Sequence, residues 1–506
     1  MSIRKILLMV LLYQMGYQLK AQGNFNGSNL MEFQLGNLPQ LEPKDQFSIY
    51  DQLNLGYRYK SLSFQSRIET YYPSFQSAEG YARLSQAKLQ FISKNIDIQI
   101  GHQYNSFGRG LLLRTYEIPS SIWETRGYRV RYGFYKDMIG ATLKLNFNDF
   151  ETKILGGKIL DVTLPPTIGG SDARRPDLIG GNESSYRFGK QKIGLIYMLH
   201  RASGGGTGSD IINNHYTSIY YDGVIAKNFF VYSEFAQKIQ NDITPFSFSD
   251  ESGQGGYIGV NYYKGDFGGS IEYKNYHNIF IGTGINDPPT LVREHSYRLL
   301  NRSTHIPILT DESGYQMEFY YNISDDKLIT LNSSRSKNDI SEDIQPVFFE
   351  LFAEYQFSPE TNFSGKVFVD YSQDPFINEI NRYASGAYVE IAHKKFISTF
   401  DMEWQMINRM TTESIYFSNW YFNYGFSKAS KFAATIQLEL TGDPTLLDDD
   451  QDLNIFPATT FSYHITRKNV ATLYYGKRRG GPACNSGVCY DVLSFEGLEI
   501  RFTTRF

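Results

Sequence analysis

Apolar and polar side chains alternate with a period of two through most of the chain. In VFFELFAEYQF, Val347, Phe349, Leu351, Ala353, Tyr355 and Phe357 share one face of an extended strand, and Phe348, Glu350, Phe352, Glu354 and Gln356 share the other. After the turn SPETN, FSGKVFVDY alternates again, with Phe363, Gly365, Val367, Val369 and Tyr371 opposite Ser364, Lys366, Phe368 and Asp370. The same two-strand unit recurs over 254–277, 383–408, 415–441 and 455–478, each time folded about a short polar turn. Strands of about ten residues suit a tilted membrane crossing. No helical period competes with them.

The connections alternate in length. Tight turns are predicted near 60, 94, 136, 227, 265, 325, 360, 395, 429 and 468, with long polar loops near 104–125, 202–213, 241–253, 279–312, 441–454 and 479–489. Aromatic pairs flank the turns, among them Phe134 and Tyr135, Phe229 and Phe230, and Phe426 and Phe432, as an interfacial girdle would. The last strand, EGLEIRFTTRF, sends Leu498, Ile500, Phe502 and Phe506 to one side and Glu499, Arg501, Thr503 and Arg505 to the other. The pattern predicts an all-β fold, a transmembrane antiparallel up-and-down β-barrel of about 22–24 strands with long extracellular loops. Phe502 and the terminal Phe506 also resemble the signal by which barrel-assembly machinery takes up its clients. A secreted β-sandwich alternates as well, but it explains neither the asymmetric connections nor the undivided length.

Composition fits many half-buried strands. Aromatics make up 16% of the 506 residues, and the chain is hydrophilic on average. A net charge of -4 excludes nucleic acid as the expected partner. Residues 1–21 read as a signal peptide, with Arg4 and Lys5, an apolar run from Ile6 to Tyr13, and Ala21 at the cleavage site. Residues 22–47 are expected as a first strand or a lumen insert, and 48–506 as the barrel. An exported barrel implies the outer membrane, with lipid and lipopolysaccharide around it and other outer-membrane subunits as candidate partners.

Two blocks carry a family resemblance. GKRRGGPACNSGVCYDVLSFEGLEIRFTTRF, 476–506, and GHQYNSFGRGLLLRTYE, 101–117, resemble recurrent blocks of a Bacteroidota outer-membrane family known as a domain of unknown function. The resemblance implies a barrel and carries no assigned activity.

Candidate chemistry is sparse. Glu350, Glu354, Lys366, Asp370, Glu272, Lys274, Glu439, Glu499 and Arg501 are predicted to face a wet lumen of mixed charge. Cys484 and Cys489 share a Gly-rich loop and are expected to form a disulfide rather than a zinc half-site, since no His lies beside them. Arg478 and Arg479 are candidates for contact with lipopolysaccharide phosphate. Asp448, Asp450 and Asp452 imitate half a calcium loop, but Leu453 stands where a Gly is needed and Thr459 where the bidentate Glu belongs. No cofactor or resident metal is expected. The loop 279–312 holds Glu294, His295, Ser296, Asn301, Arg302, Ser303 and His305, the residue types of a surface hydrolase without diagnostic spacing. A non-enzymatic protein is the expectation. The Gly/Pro-rich stretch 161–185 falls on the short-turn side and is expected to fold into the lumen, where Asp172, Arg174, Arg175 and Asp177 would form a constriction. The functional reading is a porin-like channel or importer of small polar solutes, with an accessory subunit of an outer-membrane complex as the alternative.

Overall fold

A computed structural model describes residues 23–74, 79–125, 129–160, 177–203, 211–239, 253–282, 285–291, 293–305, 311–340, 344–429, 431–447, 452–485 and 488–506. The signal-peptide reading therefore lies outside the described residues. One 24-stranded antiparallel sheet closes on itself, the first strand, Asn24–Asn37, pairing with the last, Phe495–Arg505. Closure removes every sheet edge, the condition for a sheet to sit in hydrocarbon.

Burial runs inside out relative to a soluble protein. Val369 and Ile436 are exposed at 60% and 65%, whereas Glu350 and Glu403 are buried at 1% and 0%. Apolar rows on the outside and acids inside are what lipid around a polar lumen requires. Near the tight turns, aromatic rings pair across neighbouring strands: Phe230 with Tyr263 at 6.2 Å, Phe267 with Phe319 at 6.0 Å, Phe357 with Phe363 at 5.8 Å. They form one girdle.

Of the two readings of residues 22–47, the structure shows the strand: the barrel starts at Asn24, where Gly27 and Asn29 interrupt the outward row of Phe25, Met31 and Phe33. Two other expectations change. No hairpin turns near 136. Arg131–Lys136 belongs to a ribbon paired with Tyr116–Glu124, from which the chain passes straight into the wall strand Met138–Phe147. Phe134 and Tyr135 are accordingly buried and do not join the girdle. The turn lies instead at Asn148 and Asp149, between Met138–Phe147 and Phe150–Ile159, with Asn148 at φ 52°, a conformation Asn tolerates.

That shift puts the end of Phe150–Ile159 and the start of Leu178–Phe188 at the long-loop end rather than the short-turn side; residues 161–176 lie outside the described residues. Leu178–Phe188 is a wall strand. Asp172, Arg174 and Arg175 lie outside the described residues. Asp177 is buried and hydrogen-bonded to His200 at 3.1 Å.

The closing seam gives the terminal aromatic a place. Phe506 and Gly27 exchange two backbone hydrogen bonds of 3.0 Å, and the Phe506 ring stacks on Phe25 with centroids 6.1 Å apart. Phe502 meets Phe33 edge-on at 6.5 Å. Deleting Phe506 removes one rung and one ring from the seam. The expected result is a lower level of folded, heat-modifiable protein with export unchanged; normal levels would show the ring to be incidental.

Candidate functional site: an occluded lumen

The long loops were expected to project outward. Two of them instead fold into the barrel and pack against its inner wall at the long-loop end.

The first follows the wall strand Ile96–Gln103. Ser106–Phe107 pairs with Leu113–Arg114 in a tight arch, and the Tyr116–Glu124/Arg131–Lys136 ribbon comes next. Phe107, Leu111, Leu112 and Leu113 are fully buried against Met138, Met198, Tyr216 and other inward residues. Gly108 makes the arch, with φ at 50°; a Cβ there would also strike the Glu234 carboxylate. Glu234 accepts from the Arg109 amide at 3.1 Å, and the Arg109 guanidinium lies 4.1 Å over the Tyr232 ring. The block GHQYNSFGRGLLLRTYE thus spells a plug.

The second segment comprises residues 278–282, 285–291 and 293–305. Asn286 donates to the Leu111 and Ile279 carbonyls, both at 3.0 Å, and ties the two segments together. Asp287 lies 3.5 Å from Arg114. Burial raises the Asp287 carboxyl above its ordinary range, while Lys136 and Arg114 pull it back. Farther along, Tyr297 and Leu300 pack on Phe352, Phe368 and Ala384. The short helix Arg298–Arg302 begins on Glu403, which accepts from the Arg298 and Leu299 amides at 2.7 Å each. A carboxylate at those unpaired N–H groups caps the turn.

Acids on the wall hold donors on the plug at each of these places. Glu32, from the first strand, binds Arg131 of the ribbon and Arg501 of the last strand. Glu69 takes the Gly133 amide at 2.7 Å and the Tyr135 hydroxyl at 3.0 Å. Glu354 accepts from the Tyr297 hydroxyl, and Glu439 lies 3.0 Å from Arg302. Charge-assisted bonds of this kind are strong where water is excluded.

The remaining sequence candidates sort around this plug. Lys366 lies 3.9 Å from Glu354 and donates to the Ser296 hydroxyl at 3.2 Å. Asp370 and Glu350 both take Arg382, at 3.1 and 2.9 Å. Lys274 pairs with Glu312 at 2.7 Å, fully buried, and Glu272 accepts from Tyr257 at 2.6 Å. Glu499 accepts from Gln34 at 2.8 Å. Arg478 and Arg479 do not reach outward to lipopolysaccharide; they lie 3.7 Å from Glu499 and 3.4 Å from Glu439, inside. The hydrolase set is dispersed into plug contacts: His305 pairs with Asp374 at 2.9 Å, and Ser303 accepts from Gln405 at 3.0 Å. Among the described residues, neither His295 nor His305 hydrogen-bonds a serine hydroxyl. Asp452 is exposed, and Asp448 and Asp450 lie outside the described residues.

The hairpin Gly481–Asn485/Val488–Val492 sits above the plug, with Tyr490 5.1 Å from the Phe134 ring. Its backbone register sets Cys484 opposite Cys489; their side chains lie outside the described residues. Directly opposed residues of an antiparallel pair have Cα atoms within disulfide range. Non-reduced peptide mapping is expected to recover a Cys484–Cys489 link, and two alkylatable thiols would contradict it.

Toward the tight turns lies a cavity of about 490 Å³, bordered by Asn54, Arg67, Lys88, Tyr104, Glu117 and Arg505.

The chain belongs to DUF6029, a family of unknown function, whose profile matches residues 2–141 and 223–506. No curated protein matches it. Among solved structures, it is similar to the P pilus usher (PapC) translocation pore, at 8% identity and TM-score 0.45 over 96% of this chain and 99% of that one. It is also similar to a chain of the E. coli P pilus tip assembly intermediate PapC-PapD-PapK-PapG, at 7% identity and TM-score 0.53, over 95% of this chain and 60% of that one. Pseudomonas aeruginosa OccK5 (OpdH) matches at 10% identity and TM-score 0.40, over 76% and 98%. At such identities the likeness is one of fold, that of outer-membrane barrels.

Proposed function

We propose that this family member is an outer-membrane channel for small polar solutes that its own loops hold closed. One observation carries the reading. A 24-stranded barrel is wide enough to leak unless something fills it. Here the filling is covalently part of the wall, and besides its apolar packing it is held by hydrogen bonds and ion pairs that can exchange for water. The cavity toward the tight turns carries Glu117 beside Arg67, Lys88 and Arg505, so a polar solute is favoured over a strongly ion-selective pore. By the habit of such barrels, the tight turns and both chain ends face the periplasm. The cargo therefore meets the plug from the outer side.

A second reading has its own support. Phe107 and Leu111–Leu113 are packed as a core would be, which suits a permanently filled barrel serving as an accessory subunit. Planar-bilayer recording with liposome swelling separates the two. A channel predicts rare, brief openings of the wild type and uptake of small sugars when the plug is shortened. A folded protein that stays silent in both forms would favour the accessory role, to be followed by native pull-down.

A further inference from the structure

His295, Glu350 and Asp370 meet where the second plug segment touches the wall. Their nearest ligand atoms all lie within 4.8 Å of one another, and the three residues are at least nine-tenths buried. Arg382 reaches the same place from the neighbouring wall strand Glu379–His393. Its Nη2 donates to Glu350 Oε1 at 2.9 Å and to Asp370 Oδ1 at 3.1 Å, its Nε to that same Oδ1 at 3.3 Å, and its Nη1 to the Ser303 carbonyl at 2.5 Å.

This is not the fork-to-fork geometry of a self-sufficient arginine–carboxylate pair. Both bonds to Asp370 converge on one oxygen. Glu350 Oε2, Asp370 Oδ2 and both ring nitrogens of His295 have no hydrogen-bond partner, although His295 Nε2 comes within 3.2 Å of Glu350 Oε1. Buried polar atoms normally find partners, and here the imidazole and one oxygen of each carboxylate lack them. One ring nitrogen and one oxygen from each acid are the donor set that a metal ion accepts.

We propose that His295, Glu350 and Asp370 bind a divalent ion of the zinc type, which fastens the plug to the wall. An imidazole with two carboxylates suits zinc; magnesium and calcium prefer shells made of oxygen alone. A tetrahedral site with bonds of about 2.0–2.2 Å holds its donors roughly 3.3–3.5 Å apart, within reach of small side-chain rotations from the present spacing. Arg382 orients the two carboxylates through their other oxygens, as outer-shell groups do. The Phe352 ring, 4.8 Å from the imidazole, limits its swing. The fixed charge of Arg382 offsets one carboxylate, so the ion is held less tightly than at a site without it. Because His295 comes from the loop and both acids from the wall, binding couples directly to plug closure. The site does not depend on the channel reading: metal content reports on one, and conductance on the other.

The test uses the full-length protein in detergent, stripped with chelator and titrated with Zn²⁺ against a competing indicator, then with Co²⁺. The expected result is about one equivalent per chain, visible ligand-field bands for Co²⁺, and a thermal midpoint that rises with Zn²⁺. His295→Gln and Asp370→Asn should each lose all three responses while keeping heat-modifiable mobility; Asp370→Asn serves where His295→Gln does not fold. Folded wild-type protein that takes up no zinc overturns the site, as does undiminished uptake by a folded variant. Either result would leave the cluster as a hydrogen-bonded network centred on Arg382.

Discussion

Excising residues 293–304 and bridging the gap with a short Gly/Ser link is expected to turn a nearly silent barrel into a conducting one. The excised piece carries Tyr297, Leu300 and the helix seated on Glu403, and with them the contacts to Phe352, Phe368 and Ala384. Its loss leaves Glu354 and Glu403 facing water instead of plug donors and takes Arg302 from Glu439. Hydrated acids are no burden to a barrel whose strand ladder is closed, so the wall should still assemble. Conductance should rise at least on the order of tenfold, because a lumen filled with side chains becomes an aqueous one. Cells carrying the variant should also admit antibiotics that the wild type excludes. A folded deletion that stays silent would mean that the first segment, with Phe107 and Leu111–Leu113, blocks the lumen alone.

Glu32→Ala is expected to have the largest effect on stability of any single substitution. Glu32 is fully buried and is shared by two arginines, Arg131 of the ribbon and Arg501 of the closing strand, so its carboxylate joins first strand, last strand and plug. Removing it takes the nearest carboxylate from the buried Arg131 guanidinium and one partner from the partly exposed Arg501; breaking a buried pair in this way typically costs about 3–5 kcal/mol. Urea unfolding followed by gel mobility should show this loss, and hydrogen exchange should speed up over 129–136. Glu32→Ala combined with Arg131→Ala should recover part of it, since one stranded charge is gone. A loss below about 1 kcal/mol, the worth of an exposed pair, would mean that water reaches this carboxylate.

The wall was legible in the sequence because lipid outside and lumen inside enforce a period of two, residue after residue. Glu350, Phe352 and Glu354 read correctly as one face because both neighbouring strands obey the same rule. Legibility failed where a segment obeyed a different one. RVRYGFYK reads as a strand running into a turn, and it is a strand, but one that lies inside the barrel. Its polar end at Lys136 and Asp137 imitates a hairpin, and its aromatics imitate a girdle. The true turn at Asn148 and Asp149 ends a run in which Leu143, Leu145 and Phe147 alternate with Lys144 and Asn146. It went unseen because the turn placed at 136 had already filled its place in the succession of tight turns and long loops.

The plug itself left a weak trace. The triplet Leu111–Leu113 is too apolar for a loop in water, and Gly108 and Gly110 mark an arch beside it. What no local pattern could supply was the partner of each acid. Glu32 and Arg131 are 99 residues apart, and Arg298 and Glu403 are 105 apart. Only the closed register of the barrel brings them together.

The most direct test of an occluded lumen is a cryo-EM map of the full-length protein in lipid nanodiscs. The account predicts continuous density across the long-loop end, with Phe107–Leu113 against Met198 and the Arg298–Arg302 turn seated on Glu403. A lumen clear from end to end, with both segments outside the barrel, would contradict it.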